Sequence, residues 1–120
     1  MKKALLFIII VFLTSCASTG DKWSKKDIAL EATWQTFHAL DWGTTLDIEN
    51  HPNKKELNPI LGNHPSRNEI HTYMAIGGLA HIGVTHLLPK EYRPWWQVIT
   101  IFITGGAVIN NFGAGLSLAF

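Results

Sequence analysis

Prolines and helix-capping pairs divide this chain into three helical segments. A serine followed three residues later by an acid is typical of the first turn of a helix, and the chain has two such pairs. The pairs are Ser24 with Asp27, a short-acid form of the capping box, and Ser66 with Glu69, the full form. Pro89 ends the second helix, and Pro94 suits the first turn of the third. We therefore expect an all-α fold with helices over residues 25–48, 67–88 and 94–117.

Charge is almost absent from the last two of these helices. No acidic or basic residue occurs from Trp95 to Phe120, or between Glu69 and Lys90 apart from histidines. The stretch after Arg93 is long enough to cross a bilayer. We expect a small membrane-associated three-helix bundle, in which the last two helices form an antiparallel hairpin and helix one lies at the surface or is partly inserted. A buried hairpin in a soluble bundle is the alternative.

Glycines support the hairpin. If the turn of the hairpin centres between Glu91 and Tyr92, two pairs of glycines lie opposite each other, at the same distance from the turn on the two helices. The pairs are Gly77 with Gly106 and Gly78 with Gly105. Glycine inside a helix costs about 1 kcal/mol in water, so its presence at matched depth indicates a close backbone crossing between the two helices. The loop over residues 49–66, which holds three prolines and Gly62, is expected to be structured.

The N-terminal segment has the three parts of a secretory signal: Lys2 and Lys3, an apolar run over residues 4–13, and small residues before a cysteine. Leu13-Thr14-Ser15-Cys16 resembles the lipobox of bacterial lipoprotein precursors. The resemblance implies that residues 1–15 are a cleaved signal peptide and that Cys16 carries a diacylglycerol or acyl lipid such as palmitate. An uncleaved anchor is the alternative, although residues 4–14 would rise only about 16 Å against a hydrocarbon core of about 30 Å.

Composition narrows the function classes. Cys16 is the single cysteine, so if it is lipidated no thiol remains for a disulfide, catalysis or a metal. Removal of Lys2 and Lys3 leaves eight basic and nine acidic side chains, a balance that argues against nucleic acid as a partner. The remaining 105 residues suit a lipidated tether over residues 16–26 and one helical domain over residues 27–120.

Each helix carries a polar stripe at spacings of three and four residues. The stripes hold Glu31, Trp34, His38, Asp41 and Thr45 on helix one, then His71, Met74, Gly78, His81 and Thr85 on helix two, and Gln97, Thr100, Thr104 and Asn111 on helix three. We expect these stripes to face one another in a hydrogen-bonded interior. His38, Asp41, His71 and His81 are the candidate catalytic or metal-binding cluster, although no known metal-site spacing occurs among them. Packing by hydrogen bonds is the simpler interpretation.

The segments 41–47 and 56–62, together with His64-Pro65-Ser66, resemble uncharacterised small membrane proteins of bacteria and their phages. That resemblance covers residues 34–66 and implies no particular activity. No nucleophile motif, phosphate-binding loop or dinucleotide fingerprint is found, which favours a non-enzymatic role without a cofactor.

The leading hypothesis is a lipid-anchored accessory or interaction module, with membrane lipid and another membrane protein or itself as partners. A membrane-embedded metal- or proton-handling site is the alternative, and a phage lysis-type lipoprotein is a weaker one. We expect a location on the periplasmic or extracellular side of the cell membrane, at the inner membrane, with the outer membrane as the alternative.

Overall fold

The computed structural model of this chain describes residues 21–120, so the predicted signal peptide and Cys16 lie outside the described residues. Three α-helices follow one another: α1 (Lys25–Leu46), α2 (Arg67–Leu87) and α3 (Arg93–Gly113). A short 3-10 helix, Asp47–Asn50, continues from α1. The described part of the chain contains no strand, and the all-α prediction is confirmed.

The predicted capping pairs begin the first two helices. The Ser24 hydroxyl accepts from the backbone N–H of Asp27 at 3.0 Å, and the Asp27 carboxylate accepts from the backbone N–H of Ser24 at 2.8 Å. Ser66 and Glu69 form the same reciprocal pair at the start of α2. Hydrogen bonds from Ser66 hold the pKa of the Glu69 carboxyl below its usual range. Both capping boxes therefore act as the sequence predicts.

Two α-helices end earlier than the sequence predicts. α1 gives way to the 3-10 helix after Leu46, two residues before the predicted end. α3 stops at Gly113 and not at residue 117, because Gly115 adopts a φ of +80° and turns the chain back. The returning segment buries Leu116, and Ala119 donates its N–H to the carbonyl of Gly43 on α1 at 3.1 Å.

α1 is the central helix. Its contacts with α3 join residues 70 positions apart along the whole interface, as in Trp34 with Thr104 and Asp41 with Asn111, so α1 and α3 run parallel. In its contacts with α2, the separation in sequence falls from 50 residues at His81 to 29 residues at His71, so these two helices are antiparallel. α2 and α3 touch each other far less than either touches α1.

α2 and α3 are antiparallel, as predicted, but the expected close backbone crossing between them is wrong, because both helices pack on α1 and few contacts join them to each other. The glycines follow this arrangement. Gly77 and Gly78 lie against the His38 side chain of α1 at 3.5 Å, and Gly105 lies 3.8 Å from the Phe37 ring, with distances taken from an ideal Cβ. The same Cβ on Gly106 would meet nothing within 4 Å. Gly77, Gly78 and Gly105 therefore make room for side chains of α1, and not for a glycine of the opposite helix.

Polar side chains fill much of the interior, and large apolar side chains cover much of the outside. Within residues 21–120, ten buried residues are polar or charged and seven are hydrophobic. A small apolar core of Leu46, Ile70 and Met74 lies at the end of the bundle next to the loop. In contrast, Leu79 and Phe102 are 72% and 75% exposed. Of the helices formed by residues 21–120, none combines the length and the apolar character needed to cross a membrane.

Candidate functional site: a polar network and an adjoining cleft

The three polar stripes meet in the interior, as the sequence predicts. Helix α1 contributes Glu31, which is 6% exposed and accepts hydrogen bonds from residues on all three helices. The donors are Gln35 at 3.0 Å, His81 at 2.9 Å, Thr85 at 3.1 Å and Gln97 at 3.3 Å. Both carboxylate oxygens are used, with two donors each. Glu31 is thus the hub that fixes the three helices relative to one another.

Opposing effects set the protonation of Glu31 and His81. Burial by itself would raise the pKa of the Glu31 carboxyl, but the bonds from Gln35, His81 and Gln97 outweigh it and lower that pKa. Burial lowers the pKa of His81, and the nearby Glu31 carboxylate offsets this only in part. We therefore assign an ionised Glu31 beside a neutral His81 whose Nδ1 carries the donated proton. The other ring nitrogen, Nε2, then accepts from the Thr100 hydroxyl at 2.8 Å.

Aromatic rings extend this network as a stack through the bundle. The His81 ring lies 3.6 Å from the ring of Trp34 at an interplanar angle of 5°, and 5.1 Å from the ring of Trp96. Trp34 also stacks on His38, with centroids 4.6 Å apart. Its indole N–H donates to Thr104 on α3 at 3.1 Å. The stack therefore joins side chains from each of the three helices and holds the His81 ring in one orientation.

Asp41 lies further along α1, where α2 and α3 diverge. Its Oδ1 accepts from the Asn111 side chain at 2.9 Å, and Asn111 also donates to the hydroxyl of Thr44. Burial, followed by repulsion from the Glu56 carboxylate, raises the pKa of Asp41 to about 6. His38 and Asn111 act in the opposite direction without cancelling the shift. A carboxyl that changes charge so close to neutrality is typical of functional sites, although structural networks also produce such shifts.

A cleft of about 760 Å³ opens between α2 and α3 at this level, with α1 as its floor. Asp41 and His38 line the floor, and the loop after the 3-10 helix contributes Lys54, Lys55 and Glu56 to one end. A narrower, mostly apolar hollow of about 230 Å³ adjoins it toward Trp96. The cleft exists because α2 and α3 both pack on α1 and barely on each other. Its size is within the usual range for small-molecule sites.

The four residues predicted as one cluster lie along the same interior, but each forms its hydrogen bond with a different partner outside the four. His38 donates from Nε2 to the carbonyl of Met74 at 2.8 Å, and Asp41 turns toward Asn111. His71 accepts from the indole of Trp42 at 3.0 Å, toward the loop end of the bundle, while His81 pairs with Glu31. Among residues 21–120, no set of three or more His, Cys, Asp or Glu side chains is placed to hold a metal ion.

Arg93 has an unexpected position for a turn residue, because it is fully buried. Its guanidinium donates to the carbonyl oxygens of Leu88, His86 and Asp21 at 2.9, 3.2 and 3.1 Å. The first two lie at the C-terminal end of α2, where helix carbonyls lack partners and the helix dipole is negative. Arg93 therefore caps α2 while beginning α3.

Sequence reasoning missed Glu56 as a site residue. It belongs to the 56–62 segment noted for its resemblance, and its Oε1 accepts from the backbone N–H of Asn58 at 2.7 Å, as in a local turn. Asn58 in turn donates to the hydroxyl of Tyr73 on α2. The loop is thereby fixed against the bundle with Glu56 facing the cleft. No family model, curated protein sequence or solved structure matches this chain.

Proposed function

We propose that this protein is a lipid-anchored, non-enzymatic module that holds the outer faces of α2 and α3 against the cell membrane on its periplasmic or extracellular side. The observation that carries the proposal is the inverted polarity of the bundle. Ile76 and Leu79 on α2 are 62% and 72% exposed, and Phe102 and Ile109 on α3 are 75% and 74% exposed. Exposed large apolar side chains in this number are typical of a surface that contacts a membrane or another protein.

The opposite side of the bundle supports one orientation. Apart from Ile28, the exposed residues of α1 are small, polar or basic: Lys25, Lys26, Ala29, Ala32, Thr33, Thr36 and Ala39. A helix that lies in the membrane interface buries its apolar face by about 5–10 Å and keeps its polar face in water. The side formed by α2 and α3 would therefore contact lipid while α1 faces water. One acyl chain gives only marginal membrane binding, so a lipid on Cys16 and this apolar face would act together.

Thiol labelling tests both attachments in one experiment. The full chain is produced in bacteria, purified and placed in vesicles, then treated with a water-soluble maleimide. Phe102→Cys is expected to label at least about tenfold more slowly in vesicles than in dilute detergent, because lipid covers its position. The matched control is Ile28→Cys on α1, a position that is 55% exposed and is expected to label equally in both.

Two results would contradict the proposal. Because Cys16 is the single natural cysteine, the parent chain should take up no label if that thiol is lipidated, and labelling of it would rule out the modification. Equal rates for Phe102→Cys with and without vesicles would rule out the lipid contact and would point to a protein partner for this face.

Proton handling at Asp41 is a second candidate function, favoured by its position in the cleft and by its pKa of about 6. Carbon-detected NMR of the carboxyl groups should show one aspartate titrating near that pH, and Asp41→Asn should remove the signal. Glu56→Gln should move the midpoint to lower pH, because repulsion from Glu56 contributes to the raised pKa. An Asp41 carboxyl that titrates in the ordinary range would rule out this role.

A further inference from the structure

The cleft between α2 and α3 contains charges of both signs that do not pair with each other. Lys54, Lys55, Asp41 and Glu56 all line it. The salt bridges within residues 21–120 join His51 with Asp47, Arg67 with Glu49, and His81 with Glu31. Lys54 donates to the carbonyl of Ala114, and neither lysine forms a salt bridge with either cleft carboxylate. A ligand that carries both charges would satisfy both sets.

The cleft becomes apolar away from these charges. The 760 Å³ cleft and the 230 Å³ hollow share Trp34, Gly77, Ile103 and Thr104 in their linings, so they adjoin. From Trp96 to Ala107, α3 rises about 16 Å along this combined space. Half of a hydrocarbon core of about 30 Å has a similar depth, which is the reach of one acyl chain. The shape therefore fits an amphiphile with its polar head near the loop.

We propose that the cleft binds one aminophospholipid, with its ammonium group at Asp41 and Glu56, its phosphate near Lys54 and Lys55, and one acyl chain along the apolar hollow. The ammonium group donates hydrogen bonds, as the free carboxylate oxygens require, and the phosphate accepts them from lysine. This assignment deepens the proposed function and rests on it for the route by which lipid reaches the cleft. Under this proposal the protein binds one class of lipid selectively, in addition to contacting the membrane surface.

Native mass spectrometry of the purified full chain in detergent micelles tests the assignment. Phosphatidylethanolamine carries both head-group charges, and phosphatidylglycerol carries the phosphate alone, so the two lipids are offered together at equal concentration. The wild-type chain should retain phosphatidylethanolamine in preference. Glu56→Gln should weaken that binding about fivefold and remove the preference, and Lys55→Gln should weaken the binding of both lipids about fivefold.

Two glycine variants separate occupancy of the cleft from general damage. Gly106→Leu fills the cleft, and its Cβ meets nothing within 4 Å, so the bundle should fold and lose about tenfold or more of the bound lipid. Gly83→Leu is the matched control, because a Cβ on Gly83 also meets nothing within 4 Å and Gly83 lines neither the cleft nor the apolar hollow. It should bind lipid like the wild type.

Equal retention of the two lipids by the wild type, or undiminished retention by Gly106→Leu, would overturn the assignment. Neither result bears on membrane contact, which the labelling of Phe102→Cys in vesicles reports separately. Conversely, a chain in which Phe102→Cys is not shielded by vesicles would overturn the membrane proposal, while selective retention in micelles would still support the cleft as a lipid site.

Discussion

Glu31→Gln tests whether one buried carboxylate holds the three helices together. Glutamine keeps the volume but has one acceptor oxygen, and its amide N–H groups point at side chains that are themselves donors. The two shortest bonds, from His81 at 2.9 Å and Gln35 at 3.0 Å, fall from charge-assisted to neutral strength. Each such loss costs about 1 kcal/mol. The variant no longer buries a charge, and the free energy gained in this way offsets the cost of the new donor–donor contact. We therefore expect the free energy of unfolding to fall by about 2 kcal/mol, the sum of the two weakened bonds.

Thermal unfolding followed by far-UV circular dichroism measures this loss. For a domain of this size, about 2 kcal/mol corresponds to a Tm lower by roughly 8–16 °C. Glu91→Gln is the matched control, since Glu91 is exposed in the turn between α2 and α3 and should change stability by no more than about 0.5 kcal/mol.

The loss should also depend on pH in a definite direction. The pKa of Glu31 lies below its ordinary value of 4.5 in the folded chain, so its stabilising effect is fully present above pH 4.5 and is lost as the pH falls through the folded pKa. The pKa of His81 lies below its ordinary 6.5, so the unfolded chain takes up that proton first and the wild type loses stability as the pH falls below 6.5. Because Glu31 raises the pKa of His81, the stability difference between wild type and Glu31→Gln should widen as the pH falls below 6.5 and then shrink below pH 4.5.

A Tm for Glu31→Gln as high as that of the Glu91→Gln control would refute the role of Glu31 as a hub. So would a stability difference that persists unchanged below pH 4.5, because the advantage would then not come from the ionised carboxylate.

Three further substitutions probe other parts of the bundle. Asp41→Asn should stabilise the fold by up to about 3 kcal/mol near neutrality, because a carboxyl with a folded pKa of about 6 destabilises the fold when it is ionised. Denaturant titrations at several pH values should show this gain, and the gain should disappear below the ordinary pKa of 3.8. Arg93→Lys should lower stability by about 2–4 kcal/mol in the same assay, since an ammonium group cannot span three carbonyl oxygens; a loss below about 0.5 kcal/mol would contradict the capping role. Gly43→Ala places a Cβ 2.7 Å from the Phe120 ring and 2.8 Å from the Leu118 side chain, so these two side chains must shift while the helices persist. Hydrogen exchange at the Ala119 amide, which donates to the carbonyl of Gly43, should accelerate, and an unchanged rate would argue against the contact.

Local chemistry made the helices and their interior faces predictable. The serine–acid pairs and Pro94 act over one turn, so their signals survive in any tertiary arrangement. The stripes of polar residues predicted which side of each helix turns inward, and Glu31, His81 and Gln97 meet as that pattern requires. Spacing along a single helix was sufficient for this because the direction of a side chain follows from helical geometry alone.

Pairing between helices was less predictable. Matched depth of Gly77 and Gly106 is a property of any hairpin with a turn near Glu91, and it does not determine which faces the two helices present to each other. The Glu31 carboxylate on α1 decides that, because its hydrogen bonds with three donors of α2 and α3 draw both helices onto α1. The end of α3 was missed for a similar reason. The segment after α3 is held by the burial of Leu116 and by a hydrogen bond from Ser117 to Asp47. Neither contact can be predicted from the local sequence.

The parallel pairing of α1 with α3 also has a kinetic consequence. Its hydrogen bonds join residues 70 positions apart, so the most extensive interface of the bundle closes the longest loop. Such long-range contacts raise the contact order and slow folding relative to bundles built from neighbouring helices. The local turn between α2 and α3 can form early, yet few contacts hold those helices to each other. A chain shortened within α3 should therefore lose cooperative folding altogether, because α1 would keep its buried acids without the partners that neutralise the cost of burying them.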